Sequence, residues 1–260
     1  MEVSKPVEQI KTRECLMHGA YPVRSVTLMG KTIVQDNGGC PVCVAKNLDS
    51  DQKKAAEYAR IQEERRAAKA IRELHRKSDV PLRYSGQSLE DFEANTDAKK
   101  AVLMRVKEYC RNFLDTVLDG RCMILVGTPG TGKTHLAAAA MREVIEQNNS
   151  ARYTTVSDFS RAIRATFHRS AEKTDGEVLE EYVAPCLLVL DEVGSSSGSD
   201  HEKQALFDLI NRRYNAMRPT MILSNLSAPE LSEYLGDRIM DRLRQNGGKL
   251  LVLNWESYRK

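Results

Sequence analysis

Residues 127–134 read Gly127-Thr128-Pro129-Gly130-Thr131-Gly132-Lys133-Thr134, and this stretch decides the fold of the 260-residue chain. An apolar run at residues 123–126 precedes it, and a helix-forming run at residues 135–141 follows it. The pattern is that of a phosphate-binding loop between a buried strand and the start of a helix. A glycine-rich turn without a ligand is the alternative, but strand, loop and helix all agree with phosphate binding.

Each part of this loop has a task in holding a nucleoside triphosphate. The glycines let backbone N–H groups turn toward the phosphates, and the helix N-terminus adds a partial positive charge. Lys133 is expected to reach the β- and γ-phosphates, and the Thr134 hydroxyl is expected to ligate Mg²⁺. The residues predicted to contact ATP or ADP are Gly127, Thr128, Pro129, Gly130, Thr131, Gly132, Lys133, Thr134 and His135.

The composition is typical of a soluble globular protein, with 41% hydrophobic and 29% charged residues. A net charge of +3 does not by itself indicate nucleic-acid binding, although Lys and Arg are dense in residues 52–77. No apolar stretch approaches the roughly 20 residues that a membrane helix requires, and the N-terminus lacks the apolar part of a signal peptide. We therefore expect a cytoplasmic protein with reduced cysteines and no membrane partner.

Two short motifs near the N-terminus have the spacing of zinc ligands. They are Cys15-x-x-His18 and Cys40-x-x-Cys43, separated by 21 residues whose alternating pattern predicts a β-hairpin. A segment of about 45 residues has too small a core to fold alone, so a metal cross-link is physically favoured. We predict a structural Zn²⁺, because four protein ligands leave no open position for catalysis. Unligated cysteines are the alternative.

Residues 50–77 predict one long charged helix, because they lack Gly and Pro and are rich in Ala, Glu, Lys and Arg. Its apolar stripe is thin, so the helix either bridges two domains in solvent or docks on a partner protein. Val80-Pro81 then ends the helix. The predicted regions are a zinc-binding module at 1–49, a charged helical linker at 50–79 and a nucleotide-binding domain at 80–260.

Two further buried strands end in polar side chains suited to ATP hydrolysis. The apolar run at residues 186–190 is followed by Asp191 and Glu192. Asp191 is expected to hold Mg²⁺ through water, and Glu192 is expected to act as the general base for the attacking water. The next such strand ends at Asn225, whose amide can hydrogen-bond the γ-phosphate or that water. A solvated strand end is the alternative for the acidic pair.

Residues 236–244 concentrate three arginines near a helix end. An arginine placed opposite the γ-phosphate of a neighbouring subunit stabilises transition-state charge, whereas a solvated cluster is the ordinary alternative.

Residues 157–182 interleave basic side chains with Phe159 and Phe167, a pattern that suits single-stranded nucleic acid. The alternative is that Phe159, Ile163 and Phe167, spaced four apart, form a core stripe.

Four stretches together resemble the AAA+ ATPase domain of DnaC-type bacterial helicase loaders, and IstB-type transposition helpers are similar. The stretches are Gly-Thr-Pro-Gly-Thr-Gly-Lys-Thr, Leu-Val-Leu-Asp-Glu-Val-Gly, Gly-Asp-Arg-Ile-Met-Asp-Arg-Leu-Arg and Asn-Trp-Glu-Ser-Tyr-Arg-Lys. The resemblance covers residue 80 to the C-terminus. It implies an α/β fold with a parallel sheet flanked by helices, without the C-terminal helical lid of most AAA+ proteins. The cysteine-containing N-terminal part does not resemble the helicase-docking region of the best-known loaders.

The same resemblance implies roles for particular residues. It makes Asp191 and Glu192 the metal ligand and base, Asn225 the first sensor, and Arg242 the arginine finger that acts on a neighbouring subunit. Arg259 resembles the second sensor. The residues that would touch single-stranded DNA by this likeness are Arg164, Phe167, Ser199 and His201.

The resemblance thus implies an ATP-dependent loader that places a hexameric replicative helicase on single-stranded DNA. Its subunits would associate head to tail into a ring or an open spiral in the bacterial cytoplasm, whether a cell or a resident phage encodes it. An IstB-like transposition helper acting on DNA is the alternative. A nucleotide kinase fits less well, because Asp191, Glu192 and Asn225 suit water as the nucleophile. A zinc adaptor that binds nucleotide without hydrolysing it is a further alternative.

Overall fold

The computed structural model describes residues 7–28, 31–35, 39–168, 170–195 and 200–258. The chain divides into two compact units, Met1–Ala67 and Ala68–Lys260, and this division falls inside the predicted helical linker. The long helix α1 covers Pro41–Arg76, so it begins well before residue 50, where the sequence placed its start. No helix among the described residues combines the length and apolar character needed to cross a membrane.

The first unit contains a small antiparallel sheet of three strands, β1 (Val7–Cys15), β2 (Gly19–Leu28) and β3 (Lys31–Gln35). The predicted hairpin is confirmed as β2 and β3, with Val26 opposite Ile33. Strand β1 was not predicted. It pairs with β2 along its whole length, so Cys15 lies opposite Gly19 and the first cysteine motif occupies the tight turn between the two strands.

The second unit is built on a five-stranded parallel sheet of β4 (Met123–Gly127), β5 (Ala151–Thr155), β6 (Leu187–Asp191), β7 (Thr220–Ser224) and β8 (Lys249–Leu253). Their order in the sheet is β5-β6-β7-β4-β8. Strands β6 and β7 are buried at every position, as expected for a parallel sheet covered on both faces. Strand β7 lies between β4 and β6, so one additional strand separates the strand before the phosphate loop from the strand before the acidic pair. The predicted fold class is therefore confirmed.

Helices cover both faces of this sheet. They are α2 (Asp97–Arg111), α3 (Phe113–Asp119), α4 (Lys133–Glu146), α5 (Val156–Ala165), α6 (Asp175–Val183), α7 (Asp200–Asn215), α8 (Ala228–Leu235) and α9 (Asp237–Arg244). Alternate residues of β4 enter different cores: Met123 and Leu125 pack with α2 and α4, whereas Ile124 and Val126 pack with α5 to α9.

One buried side chain connects the amino-terminal ends of β6 and β7 through hydrogen bonds. Arg213 of α7 has no exposed surface, and burial lowers the pKa of its guanidinium to about 9, so it stays charged at neutral pH. It donates a hydrogen bond to the Thr220 hydroxyl at 3.0 Å. It also donates to the carbonyl oxygens of Tyr182, Val183, Pro185 and Pro219 at 2.8, 2.9, 3.1 and 2.6 Å.

Candidate functional site

The phosphate-binding loop lies where the sequence predicted it, between β4 and α4. Gly127 must remain without a side chain, because a Cβ there would lie 2.3 Å from the Leu253 carbonyl oxygen of β8. Lys133 opens α4 and is buried, with its Nζ donating to the carbonyl oxygens of Gly127 at 2.6 Å and Thr128 at 2.9 Å. The ammonium group is thus held over the start of the loop, where phosphates would approach.

The predicted metal-binding pair is brought together across the sheet. The Thr134 hydroxyl donates to Oδ2 of Asp191 at 2.9 Å, and Asp191 is buried at the carboxyl end of β6. The Tyr153 hydroxyl donates to the same oxygen at 2.7 Å. Burial and the charge of Asp191 raise the pKa of Tyr153 well above its usual range, so Tyr153 remains a donor. Hydroxyl and carboxylate oxygens this close suit Mg²⁺, which prefers oxygen ligands.

Glu192 and Asn225 open into the same cavity as the phosphate loop. Glu192 is exposed and has a φ of +61°, a left-handed conformation that is uncommon outside glycine. Its backbone N–H donates to Oδ1 of Asp191 at 2.7 Å, which orients the Asp191 carboxylate relative to the Glu192 backbone. Asn225 is exposed just beyond the end of β7. The predicted base and amide therefore face one space beside the predicted metal ligand.

This cavity has a volume of about 500 Å³, within the range of small-molecule sites. Part of its wall comes from residues that the sequence analysis missed, because no motif marks them. Tyr84 and Phe92 offer aromatic rings, and Arg83 offers a guanidinium, groups that can hold a nucleobase. The missed lining residues are Arg83, Tyr84, Gln87, Asp91, Phe92, Glu93 and Tyr258.

The three arginines of α9 lie elsewhere. Arg242 is half-buried, donates to Oδ1 of Asn211, and has its guanidinium 5.2 Å from the centre of the Tyr214 ring. Arg238 and Arg244 are exposed. Among the described residues that line the cavity, none belongs to α9. The structure therefore does not bring Arg242 to the nucleotide site of its own chain.

The predicted DNA-binding residues are only partly described. Arg164 is exposed on α5, and Phe167, just beyond α5, is 59% exposed. Phe159 and Ile163 are buried, so the core stripe exists but excludes Phe167. Ser199 and Arg259 lie outside the described residues, and the side chain of His201, in α7, also does.

The four predicted zinc ligands form one cluster in the first unit. Cys15 ends β1, His18 follows in the turn, and Cys40 and Cys43 lie at the start of α1. The Nδ1 atom of His18 is 3.7, 3.8 and 3.3 Å from the sulfur atoms of Cys15, Cys40 and Cys43, and the sulfurs of Cys15 and Cys43 are 3.7 Å apart.

These distances suit a tetrahedral zinc site. A Zn–S bond of about 2.3 Å places neighbouring ligand atoms about 3.8 Å apart. Hydrogen bonding from the Met17 backbone, aided by the His18 side chain, lowers the pKa of the Cys15 thiol to about 6, which favours the thiolate that binds metal. The interaction with Cys15 raises the pKa of Cys43. The donor set of three sulfurs and one nitrogen fits a structural zinc ion.

Comparisons with known proteins agree with the fold of the second unit. The sequence profile of a family described as IstB-like ATP binding protein matches residues 50–260. The chain is 32% identical over 205 residues to the replicative helicase loader DnaC of Escherichia coli strain K12, covering 79% of this chain and 82% of that protein. It is 34% identical over 184 residues to the replicative helicase loader DnaC of Buchnera aphidicola subsp. Baizongia pistaciae, covering 71% and 74%.

Solved structures share the fold. A crystal structure of the DnaC helicase loader matches with a TM-score of 0.59 at 23% identity, over 66% of this chain and 99% of that one. The replication initiator DnaA bound to AMPPCP and single-stranded DNA matches with a TM-score of 0.57 at 24% identity, over 69% and 52%.

Proposed function

The chain belongs to the family of IstB-like ATP-binding proteins, and from this premise we propose that it is an ATP-dependent loader of the replicative DNA helicase onto single-stranded DNA in the bacterial cytoplasm. The observation that carries the proposal is the identity with DnaC helicase loaders. A match of 205 residues within 260 necessarily includes the phosphate loop and the Asp191–Glu192 pair.

ATP hydrolysis is proposed to use the residues that meet at the cavity. Lys133 and the loop N–H groups would bind the phosphates, and Thr134 and Asp191 would hold Mg²⁺, which neutralises phosphate charge when bound. Glu192 would accept a proton from the water that attacks the γ-phosphorus, and Asn225 would orient that water or the γ-phosphate. The shared cavity and the 2.9 Å contact between Thr134 and Asp191 support these roles.

Arg242 is proposed to act on the ATP of a neighbouring subunit. Its separation from the cavity of its own chain, and its placement by Asn211 and Tyr214, support this role. Such a contact is heterologous, so subunits would assemble head to tail into a ring or an open spiral. Arg259 is proposed as the second sensor, because it follows Tyr258, which lines the cavity.

A complementation experiment tests the shared site. Lys133→Ala and Arg242→Ala proteins should each hydrolyse ATP about 10³-fold more slowly than wild type, because each lacks a charge that stabilises the transition state. Mixing them should restore turnover, since some interfaces then pair an intact loop with an intact arginine. Arg244→Ala, an exposed neighbour on α9, is the matched control and should keep wild-type turnover. An inactive mixture would contradict a site shared between subunits.

A loading experiment tests the function itself. The replicative helicase of the source cell is mixed with circular single-stranded DNA coated by single-strand binding protein, and DNA-bound helicase is measured. Wild-type protein with ATP should increase the bound fraction, and Lys133→Ala should not. Lys100→Ala, which removes an exposed lysine of α2, should behave as wild type. Equal helicase binding with and without the wild-type protein would refute loading.

We also propose that Arg164, Phe167, Ser199 and His201 contact the single strand. The exposure of Arg164 and Phe167 supports this, because a base can stack on an exposed aromatic ring while a nearby guanidinium binds a phosphate. The double variant Arg164→Glu with Phe167→Ala should weaken binding in fluorescence anisotropy, whereas Arg105→Glu on α2 should not. Binding of the double variant as tight as wild type would refute the assignment.

Zinc is proposed as a structural ion of the first unit, held by Cys15, His18, Cys40 and Cys43. The distances among the four ligand atoms support it. The unit and the exposed part of α1 would then be available to bind the helicase.

The alternative function is that of a transposition helper, which the description of the matching family as IstB-like favours. Affinity capture from the source cell separates the two. Recovery of a transposase without the helicase would favour the helper.

A further inference from the structure

The residues that follow β8 lie against the phosphate loop. We call residues 255–258 the C-terminal clamp. The indole Nε1–H of Trp255 donates to the carbonyl oxygen of Thr131 at 3.0 Å. The backbone N–H of Tyr258 donates to the carbonyl oxygen of Gly130 at 2.9 Å. The clamp therefore holds two consecutive carbonyl groups at the centre of the loop.

Holding a carbonyl group also fixes the N–H group of the same peptide unit. A trans peptide is planar, and its C=O and N–H bonds point in opposite directions. The bond to Thr131 O thus orients the N–H of Gly132, and the bond to Gly130 O orients the N–H of Thr131. Phosphate loops bind anions through N–H groups that point inward, so their carbonyl oxygens need donors on the outer side. The clamp supplies two of those donors.

The contact between clamp and loop is close. Gly130 has a φ of +84°, and a Cβ at this position would lie 1.9 Å from Oγ of Ser257. Only glycine leaves room for the clamp to approach the backbone here. This glycine therefore serves the clamp as well as the turn.

The clamp is itself held in place by the segment before and within α2. The Phe92 ring packs edge-on against Trp255 and Tyr258, with centroids 6.3 and 6.0 Å away. The Tyr258 hydroxyl donates to the Glu93 carbonyl oxygen at 2.8 Å. The buried Lys99 places its ammonium 4.4 Å from the centre of the Tyr258 ring. These contacts hold the clamp, and with it the Trp255 side chain, in a fixed position beside the loop.

We propose that Trp255 is a positioning residue for triphosphate binding: its indole N–H fixes the peptide between Thr131 and Gly132 so that the Gly132 N–H faces the phosphates. The inference rests on the nucleotide binding of the proposed function and does not depend on helicase loading. Because Trp255 is the single tryptophan of the chain, tryptophan fluorescence reports on the surroundings of this one side chain.

The test replaces the donor and keeps the ring. Trp255→Phe retains an aromatic side chain beside Phe92 but cannot donate to Thr131 O. Affinities for Mg–ATP and for inorganic tripolyphosphate, measured by calorimetry on the full chain, should both fall by about ten-fold, the effect of losing one hydrogen bond. Tripolyphosphate separates the phosphate contacts from those of the base.

The matched control is Tyr109→Phe. The Tyr109 hydroxyl donates to the Arg121 carbonyl oxygen at 3.1 Å in the core of the same unit, and Tyr109 does not line the cavity. Both variants lose one aromatic donor to a backbone carbonyl, so both should lower Tm slightly. Only Trp255→Phe should weaken triphosphate binding.

A second measurement needs no variant. Titrating wild-type protein with tripolyphosphate should change Trp255 emission in a saturable way, because the bound anion places negative charge beside the loop that the indole contacts. Unchanged affinity in Trp255→Phe, equal losses in both variants, or constant emission at saturation would each overturn the positioning role. A wild-type protein that binds no ATP at all would instead overturn the nucleotide function itself.

Discussion

The two units of the chain are stabilised in different ways. Among the described residues up to Ala67, only Val23, Ser25 and Cys40 are buried. In the second unit, by contrast, whole strands are buried, and helices cover the sheet on both faces. The described part of the first unit therefore has almost no apolar core, whereas the second unit has an extensive one on each face of its sheet.

In the first unit the candidate site would stabilise the fold, whereas in the second unit the fold supports the candidate site. In the first, the proposed zinc ligands Cys15, His18, Cys40 and Cys43 bring the β1–β2 turn and the start of α1 together, so a bound ion would itself stabilise the fold. In the second, the phosphate loop rests on a sheet whose packing does not involve the ligand. Losing the ligand should therefore have opposite consequences in the two units.

Zinc removal should produce the largest effect. Structural zinc contributes roughly 10–16 kcal/mol to folding of small metal domains, more than the few buried residues of the first unit can replace. Cys40→Ser, or a strong chelator, should release zinc and abolish hydrogen-exchange protection in β1 to β3, while ATP binding persists. Zinc content by metal analysis and exchange by mass spectrometry measure both.

The matched control for this experiment is Cys186→Ser, a half-buried cysteine of the second unit. It should leave zinc content at one ion per chain. Substoichiometric zinc in wild type, or unchanged zinc in Cys40→Ser, would show that the first unit is stabilised in another way.

The same difference explains which features the sequence predicted. The parallel sheet follows from continuous apolar runs, and the phosphate loop is a contiguous motif, so both could be predicted. Strand β1 could not, because its exposed residues, such as Ile10 at 77% exposure, carry little pattern and it forms through pairing with β2. The early start of α1 had a signal, Pro41 at the first helical position, which the metal motif obscured.

The site was predictable only where its residues follow a motif or end a strand. Thr134, Asp191 and Asn225 meet those conditions. Tyr153 reaches Asp191 because Thr155 of β5 pairs with Asp191 of β6, and that pairing depends on strand order. Trp255 contacts the loop from the far end of the chain. Contacts of this kind depend on topology, which local sequence pattern does not encode.

Arg213 offers a second test of how the two units differ, with a smaller expected effect. Its buried guanidinium joins several backbone segments of the second unit through hydrogen bonds. Arg213→Met should leave several buried carbonyl oxygens without a hydrogen-bond donor. This should lower the free energy of unfolding by about 3 to 5 kcal/mol. At about 2 to 4 °C per kcal/mol, calorimetry should record a fall in Tm of roughly 10 °C for the second unit. Zinc content should not change.

Arg212→Met is the control, since Arg212 is exposed beside Arg213 on the same helix. Its stability should remain within about 0.5 kcal/mol of wild type. Equal melting of the two variants would mean that the buried hydrogen bonds of Arg213 contribute little.

Substitution of Tyr153 should produce the smallest effect. It tests the contribution of this side chain to the candidate site separately from its contribution to the core of the second unit. Tyr153→Phe removes the 2.7 Å hydrogen bond to Asp191 but keeps the ring in the core. Partners of a metal ligand typically change metal affinity by about ten-fold or more, so the Mg²⁺ concentration for half-maximal ATP hydrolysis should rise by about that factor. Tyr109→Phe, which loses a hydroxyl away from the cavity, should leave this Mg²⁺ concentration unchanged.

Burial and the charge of Asp191 raise the pKa of Tyr153 far above neutrality, so its hydroxyl stays protonated. The ratio of wild-type to variant activity should therefore not vary over roughly pH 6 to 9. An unchanged Mg²⁺ requirement would mean that Asp191 is oriented by Thr134 and by the Glu192 backbone alone.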